Sequence, residues 1–91
     1  MPYITRQDRE KFRAFRREIP SIQSSGELNY ALTCVITEYI EQQGLSYQQI
    51  NDVRGALTNA GDEFYRRVAT PYEDKKIIEN GDISQYAKQK E

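Results

Sequence analysis

Apolar residues recur along this chain at helical spacing. Leu28, Leu32, Val35, Ile36, Tyr39 and Ile40 fall on one broad face of a helix predicted over 25–43. Ile50, Val53, Leu57, Ala60, Phe64 and Val68 follow at steps of 3, 4, 3, 4 and 4, a coiled-coil-like stripe along a helix over 47–69. Before them, a highly charged helix over 6–18 carries Phe12, Phe15 and Ile19 on one side and is stopped by Pro20. After them, 71–79 reads as a short fourth helix stopped by Asn80-Gly81, both tolerant of positive φ.

Each start carries a hydroxyl residue followed three positions later by an acid or amide. Such a side chain accepts a hydrogen bond from an otherwise unpaired N–H one turn on. The pairs are Thr5 with Asp8, Ser24 with Glu27, Ser46 with Gln49, and Thr70 with Glu73. Pro71 then stands at a first helical position, where its missing N–H costs nothing. Gly44 closes the second helix, and a short link leads to the third. The expected fold is all-α: a small helical bundle on an antiparallel hairpin of the second and third helices. The N-terminal helix packs across it, and the short C-terminal helix folds back at Thr70-Pro71. One domain over 1–87 is expected, with a disordered tail at 88–91. Gly55 and Gly61 interrupt the third helix. Gly55 is read either as a close-approach point for another helix or as a locally mobile spot.

Composition changes this picture in one respect. The chain has 91 residues, of which 37% are hydrophobic and 30% charged, with seven tyrosines. This is polar for a compact monomer and leaves two readings, a thin helical domain or a protomer that completes its core in a homo-oligomer; the tyrosines favour the second, a dimer above all. Net charge is −1. Residues 1–18 hold six basic and three acidic groups, whereas 19–62 hold one basic and five acidic. These regions face each other in an oligomer or stand as separate solvated faces. A single cysteine, Cys34, excludes an intrachain disulfide and is expected to be a small buried thiol. No leader-like or membrane-spanning stretch is apparent, so a cytoplasmic protein is expected.

Histidine is absent, which removes the usual neutral-pH base and the commonest metal ligand. There is no CxxC pair and no phosphate-cradling glycine loop. No enzyme activity, cofactor or metal is expected. Basic groups carry the stronger signal. Arg66 and Arg67 precede Thr70-Pro71, Lys75 and Lys76 follow it, and Tyr65 and Tyr72 flank it. A sharp turn there would bring the two basic pairs together as an anion-binding site with Tyr72. The plainer reading pairs Arg66 or Arg67 with Glu63 or Asp74, and Lys75 or Lys76 with Glu79. Asn29 and Thr33, early in the second helix, are further candidate ligand contacts; a hydrogen bond to another helix explains Asn29 equally. Nucleic acid is disfavoured, because the third helix carries only Arg54 before position 66.

The run Gly26-Glu27-Leu28-Asn29-Tyr30-Ala31-Leu32-Thr33, the run from Tyr47 through Ile50-Asn51-Asp52 to Gly55-Ala56-Leu57, and the segment from Glu63 to Asp82 together resemble a family of short uncharacterised proteins from phages and bacterial genomes. The resemblance covers 26–82 and carries no functional residue with it. Its phage context implies, by analogy of mechanism, a non-enzymatic oligomeric sponge that sequesters an anionic nucleotide-like signal at Arg66, Arg67, Tyr72, Lys75 and Lys76. The other expectation is a protein-interaction module that inhibits or regulates a host protein through the first helix and the tyrosines.

Overall fold

The computed structural model describes residues 4–87. The tail expected at 88–91 lies outside them. A 3-10 stretch, Asp8–Phe12, leads into α1, Arg13–Glu18. Then come α2, Ser25–Gln43; α3, Tyr47–Phe64; a π turn, Tyr65–Ala69; α4, Thr70–Asn80; and α5, Ser84–Ala87. No strand occurs among the described residues, and the all-α class holds. By internal contacts the chain divides after Ile50 into an N-terminal and a C-terminal unit.

In the N-terminal unit the capping chemistry forms as the side chains dictate. Ser24 Oγ accepts from the Glu27 N–H at 3.0 Å, and Glu27 Oε1 accepts from the Gln23 N–H at 3.1 Å. Ser46 Oγ accepts from the Gln49 N–H at 3.2 Å. Gly44 leaves α2 at φ 88°, a conformation that strains any side-chain-bearing residue, while its N–H bonds the Ile40 carbonyl. Thr5 Oγ1 accepts from the Asp8 N–H at 3.1 Å, but the helix it opens is 3-10 as far as Phe12. Only six α-helical residues follow, and Ile19 is already extended ahead of Pro20. A charged segment this short, with no face packed away, gains little from α geometry.

The C-terminal unit departs from expectation at Thr70-Pro71. No sharp turn forms there. Ala69 (φ −67°, ψ −47°) and Thr70 (φ −61°, ψ −50°) are both helical, and Thr70 makes no side-chain cap. Helix therefore runs on from α3 through the π turn into α4, in place of a separate helix folded back. Pro71 has no N–H to donate, and in plain α geometry its ring would clash with the carbonyl four residues earlier. The π turn accommodates this: the Thr70 N–H reaches five residues back to the Tyr65 carbonyl. Gly81 (φ 82°), not Asn80, takes the positive φ that ends α4. Asp82 Oδ1 then accepts from the Ile83 N–H at 2.8 Å, ahead of α5.

Among the described residues the 3-10 stretch packs with α1 and the π turn with α4. Across the link that follows α2, Tyr39 Oη donates a hydrogen bond to Gln49 Oε1 at 2.7 Å. Among the described residues no side chain is buried. Ile36, Tyr39, Ile40 and Val53 reach only intermediate burial. Leu28, Val35 and Phe64 are half or more exposed. The apolar face of α2 spans about 140° of its circumference, the width of an ordinary core-facing stripe.

Candidate functional site

The seven residues singled out by the sequence fall in both units. Asn29 and Thr33 lie on α2 in the N-terminal unit. There the Thr33 hydroxyl donates to the Asn29 carbonyl at 3.0 Å, a bond within one helical turn. Arg66 and Arg67 sit in the π turn, and Tyr72, Lys75 and Lys76 sit on α4.

Because the helix continues through Pro71, the two basic pairs do not converge. Eight residues separate Arg67 from Lys75, roughly 12 Å along a helix axis. Arg67 Nη1 instead pairs with Glu63 Oε2 at 3.3 Å, one turn back. Lys76 Nζ pairs with Glu79 Oε2 at 3.1 Å and lies 5.5 Å from the centre of the Tyr72 ring. Arg66 and Lys75 make no ion pair among the described residues. The plainer reading thus accounts for Arg67 and Lys76, with Tyr72 engaged by Lys76. All three pairings are solvent-facing contacts of modest strength.

A relation the sequence did not reveal crosses the π turn. Glu73, expected to reach back toward Thr70, lies near the Tyr65 phenol instead, and its carboxylate, as a hydrogen-bond acceptor and as a charge, holds the phenol above its ordinary range. In an unbroken α-helix residues eight apart stand about 80° out of register, and one inserted residue takes back about 100°, leaving the pair within roughly 20° of one face. The π turn is what puts Tyr65 and Glu73 in line.

The one large concave feature described lies in the N-terminal unit. It is a cleft of about 920 Å³, lined by Phe15 and Ile19 of the α1 end, Ile22, and Leu28, Leu32 and Val35 of α2. Its walls are almost wholly apolar, although Glu18 and Glu27 also line it. Cys34, expected as a buried thiol, lies on this cleft and is exposed. Sequence reasoning placed these apolar residues in a core. A Cβ on Gly55 or Gly61 would meet nothing within 4 Å, so neither glycine serves close approach within the chain.

Among the described residues no three Cys, Asp or Glu side chains gather as a metal site, and no helix is long and apolar enough to cross a membrane. No curated protein and no solved structure matches the chain. A family model does, over residues 1–83, so the family relation reaches through α1 and the cleft as well as the 26–82 segment that carried the resemblance. By that match the chain belongs to the family described as a domain of unknown function, DUF6899.

Proposed function

We propose that the protein is a non-enzymatic interaction protein whose helices complete their hydrophobic core against another polypeptide, and that it works in that assembled form. One observation carries this reading: a chain patterned for a core buries no side chain among its described residues. Leu28, Leu32, Val35 and Phe64 are among the large apolar side chains left exposed, and exposed apolar side chains at helical spacing are the mark of an interaction surface. Regulation of a host protein by such a module is the finer form of the proposal.

A second reading keeps a ligand. Arg66 and Lys75 make no ion pair among the described residues, and they suit an anionic nucleotide-like molecule when further copies add donors beside them.

The test is a dilution series followed by circular dichroism and amide hydrogen exchange. Helix content and protection are expected to rise together with protein concentration or on addition of a partner. A 10.7 kDa particle with a slowly exchanging core at every concentration would sink the proposal. The same samples titrated with cyclic nucleotides and ADP-ribose derivatives separate the second reading. Saturable binding that Arg66→Ala/Lys75→Ala removes would favour it, and a flat titration would remove it.

A further inference from the structure

We infer that Asn80-Gly81 is a self-modifying site: the chain deamidates there, and the last hydrogen bond of α4 sets how fast. The inference goes beyond the interaction proposed above and does not depend on it.

The chemistry is intramolecular and needs only water. The Gly81 backbone nitrogen gives up its proton to solvent base and attacks Cγ of the Asn80 side-chain amide. The N–Cγ bond forms, the Cγ–Nδ2 bond breaks, and Nδ2 leaves as ammonia, taking a proton back from solvent. The chain then holds a five-membered succinimide ring. Water opens that ring at either carbonyl and leaves aspartate or isoaspartate at position 80. A Cβ on the attacking residue hinders the first step, so glycine after asparagine is the most permissive case.

Three observations set Asn80 apart. First, the chain has four asparagines, Asn29, Asn51, Asn59 and Asn80, and only the last is followed by glycine. Second, Asn29 lies within α2, and Asn51 and Asn59 lie within α3. Helical ψ holds the next nitrogen away from Cγ, and inside a helix it changes only when several bonds open together. Asn80 is instead the exposed last residue of α4, and Gly81 leaves the helix at φ 82°. The Gly81 N–H donates to the Ile77 carbonyl at 2.8 Å. That bond occupies the attacking nitrogen and holds Asn80 helical, but it closes a helix end, where opening costs little. Third, a Cβ on Gly81 would meet nothing within 4 Å, so no group among the described residues crowds the forming ring.

The product alters the helix end that restrained it. A new carboxylate stands at the negative end of the α4 dipole, beside Glu79 and Asp82, and 77–87 hold no Lys or Arg to offset it. Isoaspartate also lengthens the main chain by one carbon between Ile77 and Gly81, which displaces the closing bond.

The experiment is incubation of the full chain at mildly alkaline pH, followed by intact mass and peptide mapping. Exchange of ammonia for water adds about 1 Da. In the folded chain the gain is expected at Asn80 and not at Asn29, Asn51 or Asn59. It is expected to run several-fold faster in denaturant, which removes the bond to Ile77. Asn80→Gln, one carbon too long for the five-membered ring, is expected to abolish it. Asn80→Asp is expected to speed hydrogen exchange of the Gly81 amide. A folded chain that gains no mass at Asn80, or gains equally at the other three, overturns the site. Equal rates in the folded chain and in denaturant overturn the control by α4, and unchanged Gly81 exchange in Asn80→Asp overturns the effect on the helix end.

Discussion

Two helical regions of this molecule both start at a hydroxyl cap and stop at a glycine with positive φ, but only the second carries a proline through its interior. α2 begins at a hydroxyl cap and stops at a glycine with positive φ. The run from α3 to α4 contains two glycines, two threonines and a proline, and stops at none of them. The difference shows what ends a helix. At Ser24 the backbone is extended (φ −149°, ψ 163°), so the hydroxyl faces the first unpaired N–H groups and bonds one. At Thr70 the backbone is already helical and the N–H groups ahead have carbonyl partners behind them, so the hydroxyl has no vacancy to fill. A cap residue acts where a helix is starting; inside a formed helix it is a passenger. Proline obeys the same logic. Pro20 meets a short charged helix and ends it, whereas Pro71 meets a long one that absorbs it by adding a residue to one turn.

The largest effect that would sharpen this contrast is expected at Pro71. Proline in a helix interior costs about 3 kcal/mol, part of which the π turn already relieves. Pro71→Ala is therefore expected to stabilise the protein by roughly 1–3 kcal/mol, read as a rise in denaturation midpoint. The i−5 bond at Thr70 should give way to an i−4 bond, visible in amide shifts. Unchanged or lowered stability would mean that Pro71 stands at a true helix start.

Next in size is the pair of hydroxyls. Ser24→Ala is expected to cost about 1 kcal/mol through the lost cap, while Thr70→Ala stays within about 0.5 kcal/mol of the parent. Urea midpoints of the two variants measure this directly, and equal losses would erase the distinction drawn between the two regions.

The smallest effect concerns Tyr65. Its phenol is held above its ordinary range by the nearby Glu73 carboxylate, as hydrogen-bond acceptor and as charge. A raised phenol favours the folded chain while the proton is on. That contribution is complete below the unfolded phenol value of about 10 and is lost as pH climbs through the higher folded value. Ultraviolet titration, taken as the difference from Tyr65→Phe, should show the late ionisation. Glu73→Gln should bring it earlier. A Tyr65 titration indifferent to Glu73 would break the alignment across the π turn.

α2 was legible in the sequence to its last residue, because Ser24, Glu27 and Gly44 act within one turn of their own backbone. The π turn was not. Thr70-Pro71-Tyr72-Glu73 has the composition of a helix start, and only the helix already running through Phe64 makes it an interior. The candidate site inherited that ambiguity, since convergence of Arg66 and Arg67 with Lys75 and Lys76 depended on a turn that does not form. Arg67 and Lys76 were legible as members of local ion pairs with Glu63 and Glu79, which depend on spacing alone. The open α2 face was visible as pattern but not as surface, because periodicity states which side chains share a face and is silent on how many neighbours come to cover it.

The π turn has a consequence for chain length. It stores one residue beyond what an α-helix needs to reach the same rotation, so α4 presents its faces as though the chain were a residue shorter. In that light Pro71 anchors a spare link, holding it where its own missing N–H makes the wider turn the cheaper one.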